Sequence, residues 1–73
     1  MYKLNNIMVR YFFENHFIDK TYPDIEAAFK DIWGDMHKEG YKDYNIYERI
    51  ELADGNAFWQ RSHRFWSFKG LVK

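Results

Sequence analysis

The side chains in this sequence that could move protons or hold a metal are few and scattered. His16 lies near Asp19, His37 near Glu39, and His63 stands between Arg61 and Arg64. None of these pairings has the HExxH spacing that sets two imidazoles on one helical face, or the strand–turn–helix elbow of a nucleophilic serine. Asp31 and Asp35 are like charges one helical turn apart, on a face that reads as solvated, where no useful pKa tuning is expected. Glu48 falls opposite Arg61 in the hairpin described below, which is the pattern of a structural ion pair rather than of a general acid. There is no glycine-rich phosphate loop. The chain has no cysteine, which removes disulfides and thiolate metal sites. The residues argue against an enzyme and imply neither metal nor cofactor.

One stretch does carry binding chemistry. Residues 58–69, FWQRSHRFWSFK, mix basic side chains with stacking rings. On a strand, that mixture can bind single-stranded nucleic acid by stacking and phosphate neutralisation. Against this reading, the net charge is zero, and the stretch lacks the pattern of a known RNA-binding strand. Charge is nonetheless divided along the chain. Residues 1–57 hold seven Lys/Arg against eleven Asp/Glu, whereas residues 58–73 hold Arg61, Arg64, Lys69 and Lys73 with no acid. Such a division bears on partners rather than on fold.

These residues must be positioned by the elements around them, and one helix dominates. From Thr21 to Gly40 the apolar residues Ile25, Ala28, Phe29, Ile32, Trp33 and Met36 fall within one arc at 100° per residue. Thr21 and Asp24 resemble a capping box, Pro23 suits the first turn, and Gly40 can close the helix in the left-handed conformation with Tyr41 folded back. Asp24, Asp31, Asp35 and Glu39 flank the arc as an acidic stripe that reads as a solvated face, with a docking surface for a basic partner as the alternative. Gly34 sits mid-helix, where glycine costs roughly 1 kcal/mol relative to alanine. It reads as tolerated drift or as a site for close approach of another backbone.

Strand text lies on both sides of the helix. IMVRYFF and HFIDKTY, split by Glu14-Asn15, read as a hairpin with Arg10 opposite Asp19 and Phe12 opposite Phe17. One continuous strand through Phe17 is the competing reading. After the helix, Asp43–Leu52 alternates, and Ala53-Asp54-Gly55-Asn56 contains the Asp-Gly dipeptide of a two-residue type I′ turn. That turn predicts the pairs Leu52/Ala57, Ile50/Trp59, Glu48/Arg61, Ile46/His63 and Tyr44/Phe65. The order is ββαββ (or βαββ if the first hairpin is one strand). The fold class is α+β: one small domain over residues 1–73, an antiparallel sheet with a single helix packed on one face.

Aromatic residues make up 22% of the chain, more than one helix can cover. The helix-facing side should carry Val9, Tyr11, Phe13, Ile18, Tyr44, Ile46, Ile50, Trp59 and Phe65. The other side should carry Met8, Phe12, Phe17, Tyr47, Phe58, Trp66 and Phe68, interleaved with Arg10, Arg49 and Arg64. One-sided antiparallel sheets present polar residues on their open face, so this surplus marks a contact surface unless other segments fold over it. The expected partner-binding residues are Phe12, Phe17, Tyr47, Phe58, Arg64, Trp66 and Phe68. The expected partner is another protein, a second copy of the chain, or both, with single-stranded nucleic acid as the alternative. No run approaches the ~18 apolar residues needed to span a bilayer and no apolar signal segment opens the chain, so a cytoplasmic protein is expected. In size, lack of cysteine and economy of elements the chain resembles the small accessory proteins of bacteria and their phages. Many of those act by blocking a larger protein.

Overall fold

A computed structural model describes residues 4–65. Four strands, β1 (Ile7–Phe12), β2 (Phe17–Tyr22), β3 (Asp43–Glu51) and β4 (Ala57–Arg61), form one antiparallel sheet in the order β2-β1-β3-β4. Between β2 and β3 run α1 (Ile25–Ile32) and the single turn α2 (Asp35–Lys38), which cover one face. The ββαββ order and the one-sided helical layer match the sequence reading. The stretch from residue 7 to 22 is a hairpin rather than one strand. Phe12 pairs with Phe17 and Arg10 with Asp19, closed by the Phe13 N–H donating to the His16 carbonyl at 2.8 Å.

Strand alternation builds the core. Ile7, Val9 and Tyr11 of β1 point to the helices beside Tyr22 of β2 and Tyr44 and Ile46 of β3, against Ala28, Ile32 and Met36. All are buried, and Val9, Tyr11, Ala28 and Ile32 show no exposed surface. Ile18, expected in this layer, is 41% exposed, because it lies on an edge strand beyond the reach of α1.

The helix begins and breaks differently from its sequence pattern. Asp24, not Thr21, is the cap: its carboxylate accepts from the Ala27 N–H at 2.9 Å. Thr21 and Tyr22 stay in β2. Proline at 23 disfavours helical backbone in the residue before it, and that residue is Tyr22. The single amphipathic helix is in fact interrupted at Trp33-Gly34. Trp33 caps α1, stacks on Phe29 with centroids 4.7 Å apart, and is 48% exposed instead of joining the core. A Cβ built on Gly34 would stand 2.5 Å from the Lys30 carbonyl oxygen, so the glycine is required by its own chain and not by a partner. Gly40 ends α2 at φ 81°, as expected. Tyr41 then folds back, donating its hydroxyl to the Ile32 carbonyl at 2.8 Å and packing on Tyr11 at 5.3 Å.

A chain of hydrogen bonds fastens the helical layer to the sheet. The Tyr11 and Tyr22 hydroxyls are 2.6 Å apart, Tyr22 donates to Asp31 Oδ2 at 2.5 Å, and Lys20 Nζ donates to the same oxygen at 2.7 Å. Asp31 is therefore not part of a solvated stripe: its side chain is 15% exposed. Burial pushes its pKa up, but the hydrogen bonds from Lys20 and Tyr22 and the charge of Lys20 outweigh this and leave it below the usual carboxylate value. Burial, with the hydrogen bond to Asp31, raises the Tyr22 phenol well above its ordinary range.

Two stability outcomes follow from these contacts. Gly34→Ala lowers stability by about 1–3 kcal/mol, where an ordinary helical glycine would gain from the change. Chemical denaturation of the two proteins measures the sign. Because the folded pKa of Asp31 is depressed, its contribution is full above the unfolded value of about 4 and fades as pH falls through the folded value. Asp31→Asn should therefore destabilise the domain at neutral pH and flatten the acid arm of a stability-against-pH curve. An unchanged acid arm would remove Asp31 from the account.

Candidate contact face on the outer side of the sheet

The register of the second hairpin decides which rings share a face. The connection is the three-residue loop Ala53-Asp54-Gly55, not the two-residue Asp54-Gly55. Leu52 N–H donates to the Asn56 carbonyl at 2.7 Å, and Gly55 takes φ 90° at the third loop position. Asp54 holds this form by accepting from the Asn56 N–H at 3.0 Å and from its side-chain amide at 3.1 Å. The pairs become Glu51/Ala57, Ile50/Phe58, Arg49/Trp59, Glu48/Gln60 and Tyr47/Arg61. A one-residue slip turns every side chain of a strand over. Phe58 therefore belongs to the helix side, where it is 46% exposed, and Trp59 belongs to the outer face. Both assignments reverse the sequence reading.

Arg64 is corrected as well. It lies on the helix side, where its guanidinium donates to Glu48 Oε1 from Nε at 3.1 Å and from Nη2 at 2.8 Å. The Ser62 hydroxyl donates to Glu48 Oε2 at 2.8 Å, and the Phe65 N–H donates to the Ser62 oxygen at 3.1 Å. Glu48 thus takes Arg64 and Ser62 in place of the expected Arg61. Burial works to raise its pKa, but the bonds from Arg64 and Ser62 hold it below the usual carboxylate range, an ionised structural anchor. Phe65 returns over α1 and meets Phe29 edge-on at 6.5 Å. Trp66 and Phe68 lie outside the described residues.

The outer face is built from alternate residues of all four strands. Met8 is its floor, 7% exposed, with Thr21 and Tyr47 as its register partners. On the same face lie Phe12, Phe17, Tyr47 and Trp59, with Phe17 52% and Trp59 37% exposed. The Phe12 and Phe17 rings pair at 6.2 Å. Arg10 is central. Its guanidinium carbon lies 4.3 Å from the Phe17 centroid and 5.8 Å from that of Tyr47, while Nε and Nη2 bond both oxygens of Asp19 at 2.7 and 3.0 Å. That pairing raises the already high Arg10 pKa further. Arg49 is paired with Glu51, and Arg61 reaches the Asn45 side chain at 3.4 Å. Arg10, Arg49 and Arg61 are matched on the same face by Asp19, Asp43 and Glu51, so the face is apolar and aromatic without net charge.

Of the expected contact residues, the structure gathers Phe12, Phe17 and Tyr47, and separates Phe58 and Arg64 from them. Sequence reasoning missed Trp59 and the position of Ser62. Asn56, which can satisfy Asp54 from two donors, was the signal for the longer turn. The histidines do not converge: His16 stacks on Phe13 at 4.8 Å, His37 lies edge-on to Tyr41 at 6.4 Å, and His63 is exposed in the turn after β4. Among the described residues no group of three or more His, Asp or Glu side chains is placed to hold a metal ion, and no helix is long and apolar enough to cross a membrane. Comparison with protein-family models, with curated proteins and with solved structures gives no match.

Ser62, 3% exposed, is the buried polar residue on which the Glu48–Arg64 contact turns. Ser62→Ala removes a donor from Glu48 and an acceptor from the Phe65 N–H, and should cost about 1–3 kcal/mol in thermal or denaturant unfolding. A neutral result would show that the turn after β4 is not held by this hydroxyl.

Proposed function

We propose that this chain is a non-catalytic protein-binding module that engages another protein through the outer face of its sheet. The observation that carries the reading is the charge-balanced ring cluster around Arg10. Tyrosine, tryptophan and arginine are the side chains enriched at the centres of protein interfaces. Here an arginine is already stacked on Phe17 and fixed by Asp19, so little side-chain freedom remains to be lost on binding. A nucleic-acid strand would need uncompensated cations along the rings. On this face carboxylates match the arginines, and Arg64 is turned to the opposite side by Glu48. Such a module fits the role of an inhibitor or assembly factor, which works by occupying a surface of a larger protein.

Phe17→Ala and Tyr47→Ala test the reading, because both rings are at least partly exposed and neither belongs to the core. Each variant should stay folded while weakening partner association by ~2 kcal/mol or more. The comparison is quantitative affinity capture with the native chain and the two variants as bait, followed by titration of any protein lost from both. A fluorescence titration with a single-stranded oligonucleotide runs beside it, and no binding is expected at low ionic strength. Tight binding that weakens steeply with salt would replace the protein reading with the nucleic-acid one.

A further inference from the structure

The two edges of the sheet are unlike, and we infer that β4 pairs with the β4 of a second copy of this chain. Among the described residues β2 and β4 are the edge strands. The ladder bonds at either end of the second hairpin, Ser62 N–H to the Ile46 carbonyl and Leu52 N–H to the Asn56 carbonyl, set the phase between them. Asn56, Phe58, Gln60 and Ser62 turn their backbone groups inward to β3, and Ala57, Trp59 and Arg61 turn theirs outward. Native edges are normally blunted by charge, proline or a bulge. β4 reads AFWQR, with no proline, no acid and no charge before its last residue, and it is exposed along its whole length. Its two large rings, Phe58 and Trp59, stand exposed on opposite faces.

The occupant follows from what can lie opposite what. An antiparallel two-fold through Trp59 sets Trp59 against the partner's Trp59, Phe58 against the partner's Gln60, and Ala57 against the partner's Arg61. Each Trp59 N–H then donates to the other's carbonyl, the two indoles share the outer face, and no like charges meet. The same operation on β2 fails. Its outward backbone groups belong to Phe17, Asp19 and Thr21, and the central two-fold sets Asp19 against the partner's Asp19. Lys20 and Asp19 further commit β2 to its own molecule through Asp31 and Arg10. A five-residue edge spans only about 17 Å, below the reach of a standard interface of roughly 800 Å² per partner. The dimer is therefore weak and concentration-dependent, joining two four-stranded sheets into one and bringing the two outer ring clusters side by side.

Because the contact is made by backbone at the edge, it stands apart from the Phe17 and Tyr47 test. Light scattering of the full chain after size exclusion should show mass rising toward a dimer with concentration. Amide exchange should slow at Trp59, but not at Asp19, over the same range. The absence of cysteine allows a site-specific check. W59C should cross-link to itself under mild oxidation, since facing residues of a hydrogen-bonded pair lie about 5.5 Å apart at Cα, within disulfide range, while D19C should not. W59K, which sets like charges across the axis, should weaken dimerisation by roughly tenfold or more. A mass that stays monomeric at every concentration overturns the inference. So does a dimer that W59K leaves intact, or cross-linking of D19C as readily as of W59C.

Discussion

The contact on which the structure depends is the hydrogen-bond chain from Tyr11 through Tyr22 to Asp31 and Lys20. Tyr11 is fully buried and Tyr22 nearly so, and a buried phenol without a partner costs free energy that a domain of this size can ill bear. Each hydroxyl satisfies the other, and the terminal carboxylate is held ionised by the ammonium of an edge strand. The chain joins β1, β2 and α1 at one point. It sets the level at which α1 crosses the sheet and keeps Tyr22 extended up to the proline. The directional bonds to Asp31 add to the packing of Ala28, Ile32 and Met36 in holding α1 at its place on the sheet.

The break in the helix lies just beyond that anchor. Ala28, Ile32 and Met36 are spaced four apart and all reach the core, while Trp33, at the edge of the same arc, stays exposed. At Gly34 the chain passes so close to the Lys30 carbonyl that a Cβ would not fit, and α2 follows from Asp35. Tyr41 then closes the layer by bonding the Ile32 carbonyl, one of the acceptors α1 leaves open at its end. A core made of few large side chains can work this way because the rings bring their own polar anchors.

Much of this was legible in the sequence, and the failures have physical causes. Period-two alternation and the Arg10–Asp19 pair were enough for the first hairpin, and Gly40 for the end of the helical segment. The 100° arc could not show that Trp33 leaves it, because periodicity counts apolar residues without testing whether the backbone between them can stay helical. Asp-Gly marked a turn but not its length. Gly55 serves as well at the third position of a three-residue loop, and Asp54 satisfying Asn56 favours that loop. The single-residue difference moved Trp59 onto the candidate face and Phe58 off it. The same slip moved Arg64: continued along the even positions 58, 60 and 62, it falls on the helix side, where it meets Glu48. The charge division along the chain is partly closed by that contact, a long-range pairing that linear charge counting does not register.

The off-centre helix also shapes the surface that remains. Because α1 is anchored over β1 and the Tyr22 end of β2, the helical layer protects the helix side of β1, Tyr22 and the first part of β3, where Tyr44 and Ile46 are buried. Toward the far end of the second hairpin, Ile50 is half-exposed and Leu52 and Phe58 are exposed on the side the helix would have to cover, with Trp59 exposed on the other. Among the described residues both edge strands, β2 and β4, turn backbone groups outward, but their side chains differ: Asp19 and Lys20 of β2 are held in ion pairs with Arg10 and Asp31, whereas Phe58 and Trp59 of β4 stand exposed on opposite faces. The difference follows from fixing a short helix to one side of a four-stranded sheet, because the strand farthest from the anchor is the one whose helix-side ring no helix covers.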